Sequence, residues 1–150
     1  FRGNNKTQLH VFPGGHVEKK DVTLQWDGTI NVKRTLMNAG WRETLEETGY
    51  NAPISLTNPP IIESLEKKDK VIIRHYYQSH RNVNSLPALV PELGENGMAY
   101  WMPLCEIEDI FKNIPRTNKY YQRVHNTMTM ACQIQSEWEN SRQIDLNYGL

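Results

Sequence analysis

Arg42-Glu43-Thr44-Leu45-Glu46-Glu47-Thr48-Gly49-Tyr50 is the stretch that decides how this chain reads. On a helix, the i, i+3, i+4 rule sets Glu43, Glu46 and Glu47 on one face. Arg42 stands one turn before Glu46, at ion-pair spacing. Glu43 and Glu47 are also one turn apart, and there like charges repel. A helix gains no stability of its own from three gathered carboxylates. A hard divalent cation would turn that repulsion into binding, because Mg²⁺ takes oxygen ligands and favours carboxylates. The plain alternative is a solvated acidic face closed by a glycine cap at Gly49, and for an isolated E-x-x-E-E pattern it is the commoner one. The rest of the chain has to decide between them.

With 150 residues the chain has the length of one ordinary domain, 1–150, with enough material for a core. Formal net charge is zero, so no global basic field draws in nucleic acid, and any nucleotide or RNA binding has to be local. No apolar run reaches the length of a membrane span. The two cysteines, Cys105 and Cys132, lack zinc-type spacing and read as free thiols of a reducing compartment. Phe1-Arg2-Gly3-Asn4-Asn5 reads as the interior of a longer chain, so any targeting segment is expected to be missing. The expected location is intracellular, in the cytoplasm or the mitochondrion.

Working outward, Leu9 to Phe12 is a short strand stopped by Pro13-Gly14-Gly15, where the backbone can turn sharply. His16-Val17-Glu18 is expected to resume extended structure. Lys19 to Arg34 is a loop or small excursion with a turn at Trp26-Asp27-Gly28. Helical periodicity begins near Val32 and stops at Gly49. Ile61–Leu65 and Val71–Tyr77 form a hairpin with a charged tip. Residues 82–97 form a long loop, and Met98–Met102 is a strand candidate. Glu106–Lys112 is a short helix with Ile107, Ile110 and Phe111 inward. A longer helix, 118–140, carries Tyr121, Val124, Met128, Ala131, Gln135 and Trp138 as its apolar stripe, either core or a docking face for a partner protein.

Pro13-Gly14-Gly15 followed by Arg42-Glu43-x-x-Glu46-Glu47-x-Gly49-Tyr50 resembles the signature of the Nudix hydrolases. In that family a glycine is followed after five residues by Glu, and after seven more by R-E-U-x-E-E-x-G-U, U being bulky and apolar. Gly15 fits the glycine, and Asp21 stands where the family has Glu. Thr44 departs softly at the first U. The large departure is spacing: 20 residues separate Asp21 from Arg42 instead of seven. Unbroken spacing would assign Gly28 and Arg34, and Arg34 is the wrong chemistry, so an insertion over about 22–34 is the preferred reading. Glu95, six residues before Trp101, is similar to the later acidic residue that often completes the family's metal site, with Glu92 as runner-up. The resemblance covers roughly residues 9–112.

The resemblance implies an α/β fold, a Nudix-type α/β/α sandwich around a mixed β-sheet. The family's N-terminal strand region is expected to be absent, since only 12 residues precede Pro13. It also implies Mg²⁺ or Mn²⁺ as cofactor and cleavage of a diphosphate bond in a nucleoside diphosphate-linked substrate. Glu46 and Glu47 would be the main metal ligands, with the Gly15 carbonyl, Glu43 and Glu95 contributing. Glu43 would orient water or act as general base, and Arg42 would hold the glutamates in register. Glu18 is a weaker candidate for an additional metal contact. The alternative from the same resemblance is a Nudix-fold pyrophosphohydrolase of RNA 5′ ends, or an RNA- or protein-binding stability factor with weak or lost turnover. Trp26 suits either stacking on a base or packing of the insert. Lys67, Lys68 and Lys70 read as a solvated tip, and among Arg74, His75, Tyr76 and Tyr77 one alternating pair should face the site side.

Overall fold

The computed structural model describes residues 2–4, 9–54, 59–79, 86–92, 98–113, 115–117 and 121–148. Helix and sheet are mixed, as an α/β class requires. Strands β1 (Arg2–Asn4) and β2 (Leu9–Val11) pair antiparallel, Arg2 opposite Val11, and β1 also pairs antiparallel with β5 (Met98–Ala99). Strands β3 (Ile61–Lys67) and β4 (Lys70–Tyr76) form a separate hairpin, with Ile61 opposite Tyr76 and Lys67 opposite Lys70. Three helices complete the described residues: α1 (Val32–Thr48), α2 (Leu104–Asn113) and α3 (Tyr121–Tyr148).

Helix α1 begins and ends where its chemistry dictates. The Asn31 side chain accepts a hydrogen bond from the Arg34 N–H at 3.0 Å, an N-cap that satisfies one of the first turn's unpaired donors. Gly49 closes the helix at φ +71°, a left-handed conformation natural to glycine, and its N–H bonds the Leu45 carbonyl at 2.7 Å. A Cβ at Gly49 would also run into the Val90 carbonyl. The segment 86–92 is docked there: the Glu92 N–H bonds the Glu46 carbonyl at 2.8 Å, and the Trp101 indole N–H bonds the Pro87 carbonyl at 2.9 Å.

The buried apolar residues are Met37 and Ala39 of α1, Ala52 after it, Ile107 of α2 and Met130 of α3. More telling is the buried polar set, which includes Asp21, Thr35, Arg42, Glu47 and Thr48. Charged residues are rarely buried without partners, so the interior is organised around a polar cluster as much as an apolar one.

Several sequence expectations need correction. One mixed sheet was expected; among the described residues every strand pairing is antiparallel and the strands fall into two sheets. A strand does precede Leu9: Arg2–Asn4 is short and contains glycine, so pairing on both edges, not propensity, makes it a strand. His16–Glu18 forms no strand and leads into a 3₁₀ turn, Lys19–Asp21. The strand at Met98 stops at Ala99. Helix α3 buries Thr127 and Met130 while Gln135 is exposed and bonds Glu139, so its inward face is rotated from the expected stripe. That rotation follows from packing on α2 and β2 rather than from apolarity alone. Ile107 is inward as expected, whereas the side chains of Ile110, Phe111 and Val124 lie outside the described ones.

The insertion has a definite form. Leu24 and Ile30 make an antiparallel bridge, and Gln25 N–H to the Thr29 carbonyl (2.7 Å) and Asn31 N–H to the Thr23 carbonyl (2.8 Å) extend it into a small hairpin. The Asp27 carboxylate fixes the tip by accepting from the Thr29 N–H (3.0 Å) and hydroxyl (2.6 Å), an Asx-type turn. At the root, the Asn38 amide donates to the Thr23 hydroxyl (2.9 Å) and to the Asp21 carbonyl (3.0 Å), clipping the hairpin to α1.

Candidate functional site

The site is assembled by one guanidinium. Arg42, 8% exposed, has five N–H donors, and each has an acceptor. Nε donates to Asp21 Oδ1 at 2.8 Å and Nη2 to Asp21 Oδ2 at 3.0 Å, a two-pronged fork. The second Nη2 hydrogen reaches the His16 carbonyl at 2.9 Å. Nη1 donates to Glu43 Oε1 and to Glu46 Oε2, both at 2.9 Å. A lysine could not do this, because an ammonium has three donors and no planar fork. Asp21 is 3% exposed and is held from its own side by the Glu18 N–H, 2.7 Å from Oδ2.

Each carboxylate of the helix is thereby tied to the glycine turn or its exit. Glu47, 4% exposed, accepts from the Gly14 N–H at 3.0 Å through Oε2. Glu43 lies against Gly15: a Cβ there would collide with its carboxylate, so only glycine permits the approach. Glu46 takes Arg42 on one oxygen and the Lys20 ammonium on the other, at 3.1 Å. Lys20 also lies 3.3 Å from Glu18 Oε2, and Glu18 Oε1 is 3.5 Å from Arg42 Nη1. Asp21, Glu18, Glu43, Glu46 and Glu47 share the cations of Arg42 and Lys20, so the cluster carries a net negative charge.

These contacts shift the titrations in consistent directions. The Arg42 hydrogen bonds hold the Asp21 carboxyl below its ordinary value, overcoming the opposing effect of burial. Arg42 is driven further into its charged form, first by Asp21 and then by Glu43 and Glu46. Glu46 is lowered first by Lys20 and then by Arg42, and Lys20 is raised chiefly by Glu46. The cluster is thus ionised throughout the neutral range.

Among the residues expected at the site, Arg42, Glu43, Glu46, Glu47 and Gly15 come together, whereas Glu95 lies outside the described residues. Glu92 is brought to α1 through its backbone bond to Glu46. Asp21, not Arg34, pairs with Arg42; Arg34 sits in the first turn of α1, on the wall of an open recess of about 360 Å³ with Met37 and Trp41. None of the carboxylates lines that recess. Arg74 and Tyr76 turn toward Glu63, at 3.4 and 3.0 Å, while Tyr77 lies against Gly40 of α1. Lys67, Lys68 and Lys70 are exposed. Lys20 and the His16 carbonyl had no sequence signal, because their contacts span 26 residues and depend on the 3₁₀ turn.

Whether a divalent cation fits can be judged from the residues themselves. The donor set is all oxygen, three helix carboxylates and the glycine-turn carbonyls, which suits Mg²⁺ or Mn²⁺. The missing Cβ at Gly15 leaves the backbone close to the Glu43 carboxylate, and the Lys20 ammonium already occupies a cation's place at Glu46. Among the described residues no three His, Cys, Asp or Glu side chains converge as a metal centre as they stand. Arg42 and Lys20 take the oxygens that would have to converge. The chemistry fits, with those cations as its counter-ions.

Comparison with protein-family models, with curated proteins and with solved structures returned no match. Among the described residues no helix is long and apolar enough to cross a membrane. Neither cysteine is in a disulfide; Cys105 is exposed and Cys132 half-buried.

Proposed function

We propose that this chain is a Nudix-type pyrophosphohydrolase that cleaves a diphosphate bond in a nucleotide-linked substrate, on an α/β/α sandwich of that type. The observation that carries the reading is the Arg42 fork. It joins the glycine turn, Asp21 and the E-x-x-E-E helix face in one cluster, despite the 20-residue separation of Asp21 and Arg42. A solvated acidic face has no need of a buried arginine that holds its glutamates against a glycine turn.

In this reading Glu46, Glu47, Glu43 and the Gly15 carbonyl would hold Mg²⁺ or Mn²⁺, with Glu95 as a further ligand. When bound, the metal would neutralise diphosphate charge and help to activate water. Arg42 fixes the directions of the Glu43 and Glu46 carboxylates, so less reorganisation is needed when substrate arrives. Glu43 is the group best placed to orient a water or take its proton, because one of its oxygens is held by Arg42 and its carboxylate abuts Gly15. Gly14 and Arg42 restrain Glu47 and Glu46 respectively, so each helix acid has a separate tether.

The test is a substrate panel with Mg²⁺ and Mn²⁺: ADP-ribose, NADH, coenzyme A, dinucleoside polyphosphates and 5′-triphosphate RNA. At least one should release a monophosphate product or pyrophosphate, and Glu46→Gln and Glu47→Gln should lower turnover by about 10²-fold or more. Turnover equal to wild type in both variants sinks the metal assignment.

The second reading, a binding factor for RNA or protein with weak turnover, is favoured by the insertion hairpin. Leu24, Ile30 and Val32 are exposed, and Trp26 at the tip is 97% exposed. Neighbouring exposed apolar residues mark interaction surfaces more often than isolated ones do. Partner or RNA binding that survives loss of Glu46 and Glu47, without hydrolysis in the panel, would favour it over the enzyme.

A further inference from the structure

The two cations of the acidic cluster are not equivalent. Arg42 is buried, uses every donor, and is locked by the Asp21 fork. Lys20 has a side chain 55% exposed and touches only the rim: Glu46 Oε1 at 3.1 Å and Glu18 Oε2 at 3.3 Å. Glu18, Lys20, Glu46 and Arg42 form a ring of alternating charge, closed by the 3.5 Å contact between Glu18 and Arg42. Removing Arg42 from that ring would strand buried Asp21. Removing Lys20 would strand nothing buried.

Exposed ion pairs contribute little to stability, and a lysine ammonium sits on a flexible stem with freely rotating donors. Its place is therefore exchangeable. A divalent ion carries twice the charge and binds carboxylate oxygens directly, so it can take the same oxygen of Glu46 in competition with the ammonium. Lys20 belongs to the 3₁₀ turn that also carries Asp21, and the Asp21–Arg42 pair anchors its backbone. An ammonium displaced from Glu46 thus stays beside the cluster, where a diphosphate would bring its anionic oxygens. Lysine serves there as a point charge toward phosphate.

We infer that Lys20 is the resident counter-ion of this site, occupying the Glu46 and Glu18 carboxylates until a divalent cation displaces it and then turning to the phosphate oxygens of the substrate. This rests on the metal-dependent reading given above. It assigns Lys20 two opposed effects: it weakens divalent binding in the absence of substrate and strengthens substrate binding once the metal is in place.

The experiment is isothermal titration calorimetry of Mn²⁺ into the full chain without substrate, for wild type, Lys20→Met and Lys20→Arg. Lys20→Met should bind Mn²⁺ about three- to five-fold more tightly, the size expected of one exposed charge contact, and Lys20→Arg should stay near wild type. With a hydrolysed substrate, Lys20→Met should raise KM while kcat changes less. Equal Mn²⁺ affinity in wild type and Lys20→Met would overturn the role of Lys20 and leave the metal-dependent reading standing. Mn²⁺ binding to none of the three proteins would overturn both.

Discussion

Asp21→Asn isolates the contact on which the site depends. The replacement keeps size and shape but leaves one acceptor oxygen where there were two. At present Oδ1 accepts from Arg42 Nε, while Oδ2 accepts from Arg42 Nη2 and from the Glu18 N–H. Whichever way the amide is turned, its NH₂ faces a donor, and at least one buried N–H loses its partner. The pair is nearly dry, with Asp21 3% and Arg42 8% exposed. Breaking one side of a buried pair costs about 3–5 kcal/mol. The remaining acceptors of Arg42, Glu43, Glu46 and the His16 carbonyl, keep the arginine partly compensated, so the lower end applies, about 3 kcal/mol. For a domain of this size that is a fall in Tm of roughly 6–12 °C. The pH dependence is a second signature. Asp21 is held below its ordinary value of 3.8, so its stabilisation is complete above that pH and is lost as pH falls toward the lower folded value. Circular-dichroism melts of wild type and Asp21→Asn should therefore differ by a constant gap from pH 7 to about pH 5, narrowing below about pH 4. A variant melting within 2 °C of wild type at pH 7, on the order of 1 kcal/mol or less, would refute the central place given to this pair.

Two further substitutions separate site from scaffold. Gly15→Ala needs no forbidden backbone angle, but its Cβ meets the Glu43 carboxylate, the mobile end of a side chain. The melt should shift little while Mn²⁺ affinity by calorimetry falls about ten-fold, since a displaced carboxylate is a lost or strained ligand; unchanged affinity would show that Glu43 is not needed at the glycine turn. Trp26→Ala removes an indole that is 97% exposed and buries almost nothing in its own fold. Stability should stay within about 0.5 kcal/mol of wild type by urea denaturation, and a clear loss would mean that the indole packs onto this chain.

What the sequence made legible was local. Helix α1 was readable to its last residue because Gly49 is a stop that acts through its own φ, and Asn31 supplies a cap within three residues of the bond it makes. The β3–β4 hairpin was readable from its apolar runs and charged tip, although its strands extend through Lys67 and Lys70. Glu43, Glu46, Glu47 and Arg42 were readable because helical spacing sets them side by side. Long-range partners were less so. Asp21 was a candidate by resemblance, yet spacing alone could not choose it over Arg34; the fork does. Lys20 gave no signal at all, since an exposed lysine beside an aspartate is ordinary in sequence. The face of α3 was misjudged because Thr127 is buried there although it is polar, a choice made by neighbouring elements and not by the helix.

The insertion shows how a signature can be stretched without being broken. Of the 20 residues between Asp21 and Arg42, Val32 to Trp41 are helix, continuous with the acids. Leu24 to Ile30 are closed off by the bond from the Asn31 N–H to the Thr23 carbonyl, which leaves Val22, Thr23 and Asn31 to make the connection. Loop-closure entropy does not account for this economy: shortening a loop by a third changes its cost by only about 0.4 kcal/mol. Orientation does. The Asn38 clip to Asp21 and Thr23, together with the bond from the Thr23 N–H to the Thr35 hydroxyl, fixes the hairpin root along the first turns of α1. The same Asn38 bond holds the backbone of Asp21 one helical turn before Arg42. The extra helical turns therefore serve as the ruler that returns Asp21 to its partner. The apolar side chains of the hairpin contribute nothing visible to that task, which leaves their exposure to be explained by something that binds them.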